Sequence, residues 1–334
     1  MLRQIYINEY SNQGSNDRQD SGITHDERSM REKSVNNAIE WLLQGDISIQ
    51  YQTHRYLLNS DDITLSQLQS RIPEEGFAAR LLACQNPNGH WGNYYYQPKW
   101  TSTHYTLLDL QSLCVPKSQP ECREIISRMF DECQRVDGGI NLAKSYLASD
   151  VCVDGMILNY SAYFCADDPR LTRLIDHLLG VQQSDGGFTW DGNSMTSEPH
   201  TTVCVMEGFA ECLNSGMQHR ILEIRSAQSK AVELLLSKLL YFDDPDQRYR
   251  KLSFPFRYRY DLLRALKFFA DQELPYDLRM RPAIDWLQSR RKINGTWYLE
   301  NIHKGNIHFM MEEIRSPSRF ITLQALRILK QYLL

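Results

Sequence analysis

The sequence predicts an all-α protein, an α6/α6 barrel of helical hairpins with an inner and an outer ring of helices. Three observations carry that expectation. A short phrase recurs as CQNPNGHW at 84–91, CQRVDGGI at 133–140 and VQQSDGGFTW at 181–190, with KINGTW at 292–297 as a fourth form. Aligned on Gly89, Gly138, Gly186 and Gly295, the steps are 49, 48 and 109 residues, the last about twice the others. Periods of this size mark stacked supersecondary units. Finally, the segment before each phrase is apolar on one side, whereas the segment after it is apolar nearly all round.

Taken in order, residues 1–33 are polar enough to be a loose tail, and 34–334 form a single domain. AIEWLLQGDISIQYQTHRYLL is a first hairpin; FAARLLACQ then THYTLLDLQSL, and IISRMFDECQ then DVCVDGMILNYSAYF, are the next two. LTRLIDHLLGVQQ places Leu171, Leu174, Ile175, Leu178 and Leu179 at helical spacing and stops at SDGG, before HTTVCVMEGFAECL. A missing turn falls near 240, in a longer glycine-free connection, and PAIDWLQSRRK then SRFITLQALRILKQYL close the series. One-sided helices suit an outer ring and all-apolar helices an inner ring covered on both sides. Six or seven hairpins fit the length, and an open solenoid is the rival arrangement. The Gln–turn–aromatic phrase is expected to staple each outer helix to the next inner one.

Composition bounds the function. With 42% hydrophobic and 23% charged residues and a net charge of −4, the chain carries no electrostatic footprint for nucleic acid. No run reaches the roughly 18 apolar residues of a membrane span. The opening stretch lacks the apolar core of a signal peptide, and the eight cysteines form no CxxC. A cytoplasmic protein with reduced thiols is expected, and peripheral membrane contact is compatible with it. Aromatic residues cluster near the turns, with 18 Tyr, 12 Phe and 6 Trp in all.

Repeated Gln-x-x-x-Gly-x-Trp/Phe turns on hairpins of about this length resemble the terpenoid cyclase and protein prenyltransferase superfamily. The resemblance covers about residues 75–334 and has room for one domain. It implies two chemistries acting on a hydrophobic isoprenoid. In the zinc prenyl or alkyl transferases an Asp-x-Cys is followed by a distant His, matched here by Asp150, Cys152 and His200. Carboxylate oxygen, thiolate and imidazole with an open fourth position would suit zinc and activate an incoming thiol. Against this stands an ordinary reading in which Asp150 caps its helix, Cys152 is packed and His200 satisfies a backbone group.

The other implied chemistry is protonation of an alkene or epoxide to start a cation cascade, with no cofactor. Class II-type terpene cyclases of the superfamily use Asp-x-Asp-Asp at an inner-helix start, and Cys152 replaces the middle carboxyl here. A thiol is too weak an acid for that step. Asp109 is the best substitute, surrounded by Leu107, Leu108, Leu110 and Leu113, with Tyr105 one turn earlier; Asp154 is the second choice. An unpaired carboxyl at such a site stays protonated, whereas pairing with Arg or Lys would remove that property. Candidate aromatic faces for the carbocation are Trp100, Tyr105, Tyr160, Tyr163, Trp190, Phe256 and Tyr260, with His200 a hydrogen-bonding aid. The run 250–264, with Arg250, Lys251, Arg257, Arg259 and Arg264 among aromatics, could anchor an anionic head group or be a solvated rim, and Arg319 is a further candidate; a prenylated aromatic acid of meroterpenoid biosynthesis carries such a group. A third reading is non-catalytic, a toroid that binds a lipid or a partner protein.

Overall fold

The computed structural model describes residues 25–143 and 149–333, with side chains from 33 onward. Of the tail expected over 1–33, residues 1–24 lie outside the described residues, and from His25 the chain is already helical. The described residues are mostly α-helical, and their one small sheet pairs Trp297–Tyr298 with Pro317–Ser318.

Thirteen α-helices are described, and six of them are the second members of hairpins. These are α2 (Ile47–Tyr56), α5 (Thr103–Ser112), α7 (Val151–Cys165), α9 (Pro199–Asn214), α11 (Leu262–Asp271) and α13 (Arg319–Leu333). Their one-sided partners are α1 (His25–Leu43), α3 with α4 (Asp62–Arg71, Gly76–Leu82), α6 (Pro120–Cys133), α8 (Leu171–Gly180), α10 (Ile221–Ser237) and α12 (Arg281–Ser289). In α8 the buried residues are Leu171, Leu174, Ile175 and Leu178, one stripe of a 3.6-residue period, while most of α7 is buried. Helix α5 contacts α7, α7 contacts α9, and the series continues through α11 and α13 back to α2. Gln52 on α2 donates to Ser112 O on α5, a 3.1 Å link between the first and second of these helices.

The α7–α9 contact is the most extensive. Two glycines create it. A Cβ on Gly155 would lie 2.7 Å from Val205 N, and one on Gly208 would lie 2.6 Å from Gly155 O. Only hydrogen at these positions lets the two backbones approach so closely.

The four repeated phrases share one hydrogen-bond pattern. Asn86, Arg135, Gln183 and Lys292 each donate to the carbonyl four residues on, at 2.8–2.9 Å. Gly89, Gly138, Gly186 and Gly295 all have φ between +81° and +95°, which side chains rarely tolerate. Gln85, Gln134 and Gln182 donate to the carbonyls of Gly89, Gly138 and Gly186; the fourth copy has Arg291 instead. Gln134 and Gln182 also reach Arg170 O and Ala227 O, so their amides join the first helix of one hairpin to the first helix of the next. The expected staple from outer to inner helix is a different bond. Trp91, Ile140, Phe188 and Trp297 donate their N–H to Thr103 Oγ1, Asp154 Oδ1, Thr202 Oγ1 and Thr322 Oγ1, at 2.9–3.1 Å.

Where the fifth turn is missing, Leu239, Leu240 and Tyr241 adopt positive φ without a glycine. The connection then runs through Tyr249 and Arg257 to α11, whose N-cap is Asp261.

Candidate functional site

The six second-member helices all contribute to the lining of a cavity of about 880 Å³. Each contributes a polar side chain to its wall: Gln52, Asp109, Asn159, Glu207, Arg264 and Gln324. Apolar surface comes from Leu108, Phe254, Phe256, Phe268, Phe320 and Ile321. The wall is therefore mixed, where the sequence suggested a dry aromatic pocket. Helix α9 reads as apolar almost all round, yet its Glu207 and Glu211, with Arg264 and Lys267 of α11, open onto the cavity. Their i, i+3 and i, i+4 spacing within apolar helices was the available signal.

Asp109 is buried on α5, but it is not unpaired. Its Oδ2 lies 3.1 Å from Arg257 Nη2, and both side chains are only 4% exposed. Burial pushes the Asp109 carboxyl above its usual range, and the Arg257 charge and hydrogen bond pull against that rise. The expectation of an uncharged acid free of a guanidinium is thus corrected. The cause is the glycine-free connection, which turns back at Arg257 with φ +53°. Arg257 also stands 4.8 Å over the Trp100 ring.

Other predicted residues are distributed as follows. Tyr105 meets Tyr96, hydroxyl to hydroxyl, at 3.3 Å. Trp100 packs on Tyr105, Tyr258 and His303 and donates to Lys304 O, so these rings fill one another instead of lining open space. Tyr160 is buried in a contact with His104 and Met129. Tyr260 donates to Leu240 O and packs on Tyr241 and Tyr249. Tyr163 and Phe256 do line the cavity. Trp190 is 63% exposed and faces solvent, a correction to its placement as an inner aromatic. Arg259 lies along Tyr258, outside the cavity lining. Arg319 stacks over Trp41 on α1 and donates to Trp41 O, so it too points away from the cavity.

Asp154, the second-choice acid, occupies the register position held by Thr202 and Thr322 in sister repeats. One oxygen accepts from Ile140 N and the other lies 3.3 Å from His177 Nε2. Burial raises its pKa, with the His177 bond opposing, but the carboxyl is turned toward the turn and the outer helix α8. It fastens layers together.

The three candidate zinc ligands are engaged separately. Asp150 caps α7 through the N–H groups of Cys152 and Val153. Cys152 Sγ packs 3.8 Å from Cys204 Sγ, and His200 Nδ1 accepts from Tyr260 N at 2.7 Å. Burial pushes the His200 pKa down to about 4. Among the described residues no group of three or more His, Cys, Asp or Glu side chains is placed to hold a metal ion. The ordinary reading of all three holds in the geometry.

No family model matches the chain, and no curated protein matches it. Solved structures align with about nine-tenths of its length, at TM-scores below 0.5. The type II terpene cyclase MstE from Scytonema is 15% identical, covering 90% of this chain and 98% of its own, with a TM-score of 0.46. A substituted form of that enzyme, in complex with geranylgeranyl dihydroxybenzoate as substrate, gives 16% identity, 91% and 97% coverage, and a TM-score of 0.46. A protein from Actinoplanes is 16% identical over 90% of this chain and 99% of its own, with a TM-score of 0.48. At this distance the chemistry has to be argued from the residues of this chain. Among the described residues no helix is long and apolar enough to cross a membrane.

Proposed function

We propose that this chain is a single-domain α6/α6 barrel enzyme of the terpene cyclase type, acting on an isoprenoid that carries an acidic head group. The supporting observation is the buried Asp109–Arg257 pair on the wall of a cavity bounded by all six inner helices. A ligand carboxylate competes for Arg257, because guanidinium binds carboxylates bidentately and strongly. Asp109 then loses its counter-charge in a desolvated place and takes up a proton from water. In that state it is the acid that gives its proton to an alkene carbon, and the prenyl chain lies against Phe254, Phe256 and Phe320. Aromatic faces stabilise the resulting cation, and loss of a proton from carbon ends the cascade. Arg257, one of the cations of the run 250–264 expected to anchor a head group, thus takes that role in place of Arg259 or Arg319. No metal or other cofactor enters this scheme.

The test is incubation of the protein, without added metal, with geranylgeranyl dihydroxybenzoate and shorter prenylated aromatic acids. Cyclised isomers of unchanged mass are expected from the parent protein and none from Asp109→Asn. Absence of any isomer with the parent protein, at every chain length, overturns the proposal.

One observation favours a second reading. A polar residue from every inner helix makes the wall suited to a hydrated, charged molecule held without reaction. A non-catalytic binding barrel of that kind would release an intact polar anion on denaturation, and native mass spectrometry would detect it.

A further inference from the structure

We propose that Cys152 and Cys204 form an oxidation site, which hydrogen peroxide converts to a disulfide joining helices α7 and α9. The two sulfurs are 3.8 Å apart, whereas a disulfide needs about 2 Å, so closure is a matter of side-chain rotation and a small helix adjustment. The helices are held together at this level by the Gly155–Gly208 approach. Cys204 has a second neighbour that matters. Arg264 Nη2 lies 3.4 Å from its sulfur, and the sulfur also faces Tyr258 O at 3.6 Å. Arg264 also lines the cavity, which brings a small oxidant to within one side chain of the sulfur.

The chemistry balances. The Cys204 thiol gives up its proton as its sulfur attacks one oxygen of hydrogen peroxide, the O–O bond breaks, and the departing hydroxide takes that proton and leaves as water. Cys204 is then a sulfenic acid. Cys152 gives up its proton and attacks the Cys204 sulfur; the S–O bond breaks and a second water leaves. Two thiols are oxidised and one hydrogen peroxide is reduced. Arg264 is also bonded to the cavity carboxylate Glu207 and to Arg259 O. The site is independent of whether the cavity catalyses a cyclisation.

Folded full-length protein is treated with hydrogen peroxide, alkylated under denaturing conditions and mapped by peptide mass spectrometry. Loss of two of the eight thiols is expected, with a 152–204 linked peptide two hydrogens lighter than its parts and restored by dithiothreitol. In Cys152→Ala, which keeps the Arg264 contact, Cys204 should stop at the sulfenic acid and be trapped by dimedone. The proposal is overturned if both residues stay alkylatable while the half-buried Cys84 is oxidised. It is equally overturned if Cys204 pairs with a different cysteine, or if Cys152→Ala gives no dimedone adduct on Cys204.

Discussion

Asp109 on α5 and Arg257 in the connection before α11 lie 148 positions apart in sequence and meet as a buried ion pair at 3.1 Å. Taking both charges from water is costly, and their attraction offsets that cost only while both are present. Arg257→Met should therefore destabilise the fold by about 3–5 kcal/mol, and Asp109→Leu with Arg257→Met should recover most of the loss. Urea denaturation of the two single variants and the double variant measures this. In Arg257→Met the Asp109 carboxyl should also titrate higher than in the parent, because only the opposing cation has gone. A single-variant cost below about 1 kcal/mol would mean that the pair is exposed in solution.

Asp261 gives the fold a pH dependence of unusual sign. Its Oδ1 caps α11 by accepting from Arg264 N at 2.9 Å, but the residue is 1% exposed, and burial raises its pKa from 3.8 to about 7. The folded state then binds more protons than the unfolded state between those values, so stability falls as pH rises through that window. The penalty is complete above about pH 7 and is on the order of 4 kcal/mol at most. Asp261→Asn keeps a good N-cap and removes the titration. Thermal melts should show the variant matching the parent near pH 4 and exceeding it at pH 8. A variant less stable than the parent at both pH values would show that Asp261 stays ionised and useful.

The repeat makes a sharper statement about Asp154. Ile140 N donates to it as Phe188 N and Trp297 N donate to Thr202 and Thr322. Asp154→Thr should thus preserve the turn-to-helix bond and cost less than about 1 kcal/mol, whereas Asp154→Leu leaves a buried N–H unpaired and costs about 1–3 kcal/mol. Chemical denaturation of the two variants separates them. Equal losses would mean that the His177 contact carries the position instead.

Much of the architecture was legible because it rests on local, repeated signals. A glycine at positive φ, a Gln closing its own turn and one-sided Leu spacing are each written within about ten residues. The site was less legible because its parts come from distant segments. Arg257 reaches Asp109 only through the path of the connection that lacks a fifth turn, and nothing near Asp109 announces a cation. Cys152 and His200 had spacing suited to a metal, yet helix packing gave one a thiol neighbour and the other a backbone N–H. On α9 an apolar average concealed that Glu207 and Glu211 share one face.

Gly155 and Gly208 set the spacing of α7 and α9, and both contacts are to backbone atoms, which cannot rotate away. A Cβ at either position would sit 2.6–2.7 Å from its nearest neighbour, closer than van der Waals contact permits. Gly155→Ala and Gly208→Ala gain helix propensity of up to about 1 kcal/mol, since alanine is the better helix former. Overpacking should outweigh that gain, leaving each variant less stable by about 1–3 kcal/mol. Because Gly208 meets Gly155 O directly, one displacement of the helices relieves both clashes. The double variant should cost measurably less than the sum of the single losses, as expected for sites that share a contact. Urea denaturation midpoints of the three proteins decide it: stabilisation by either alanine would show that the two helices stand farther apart than described.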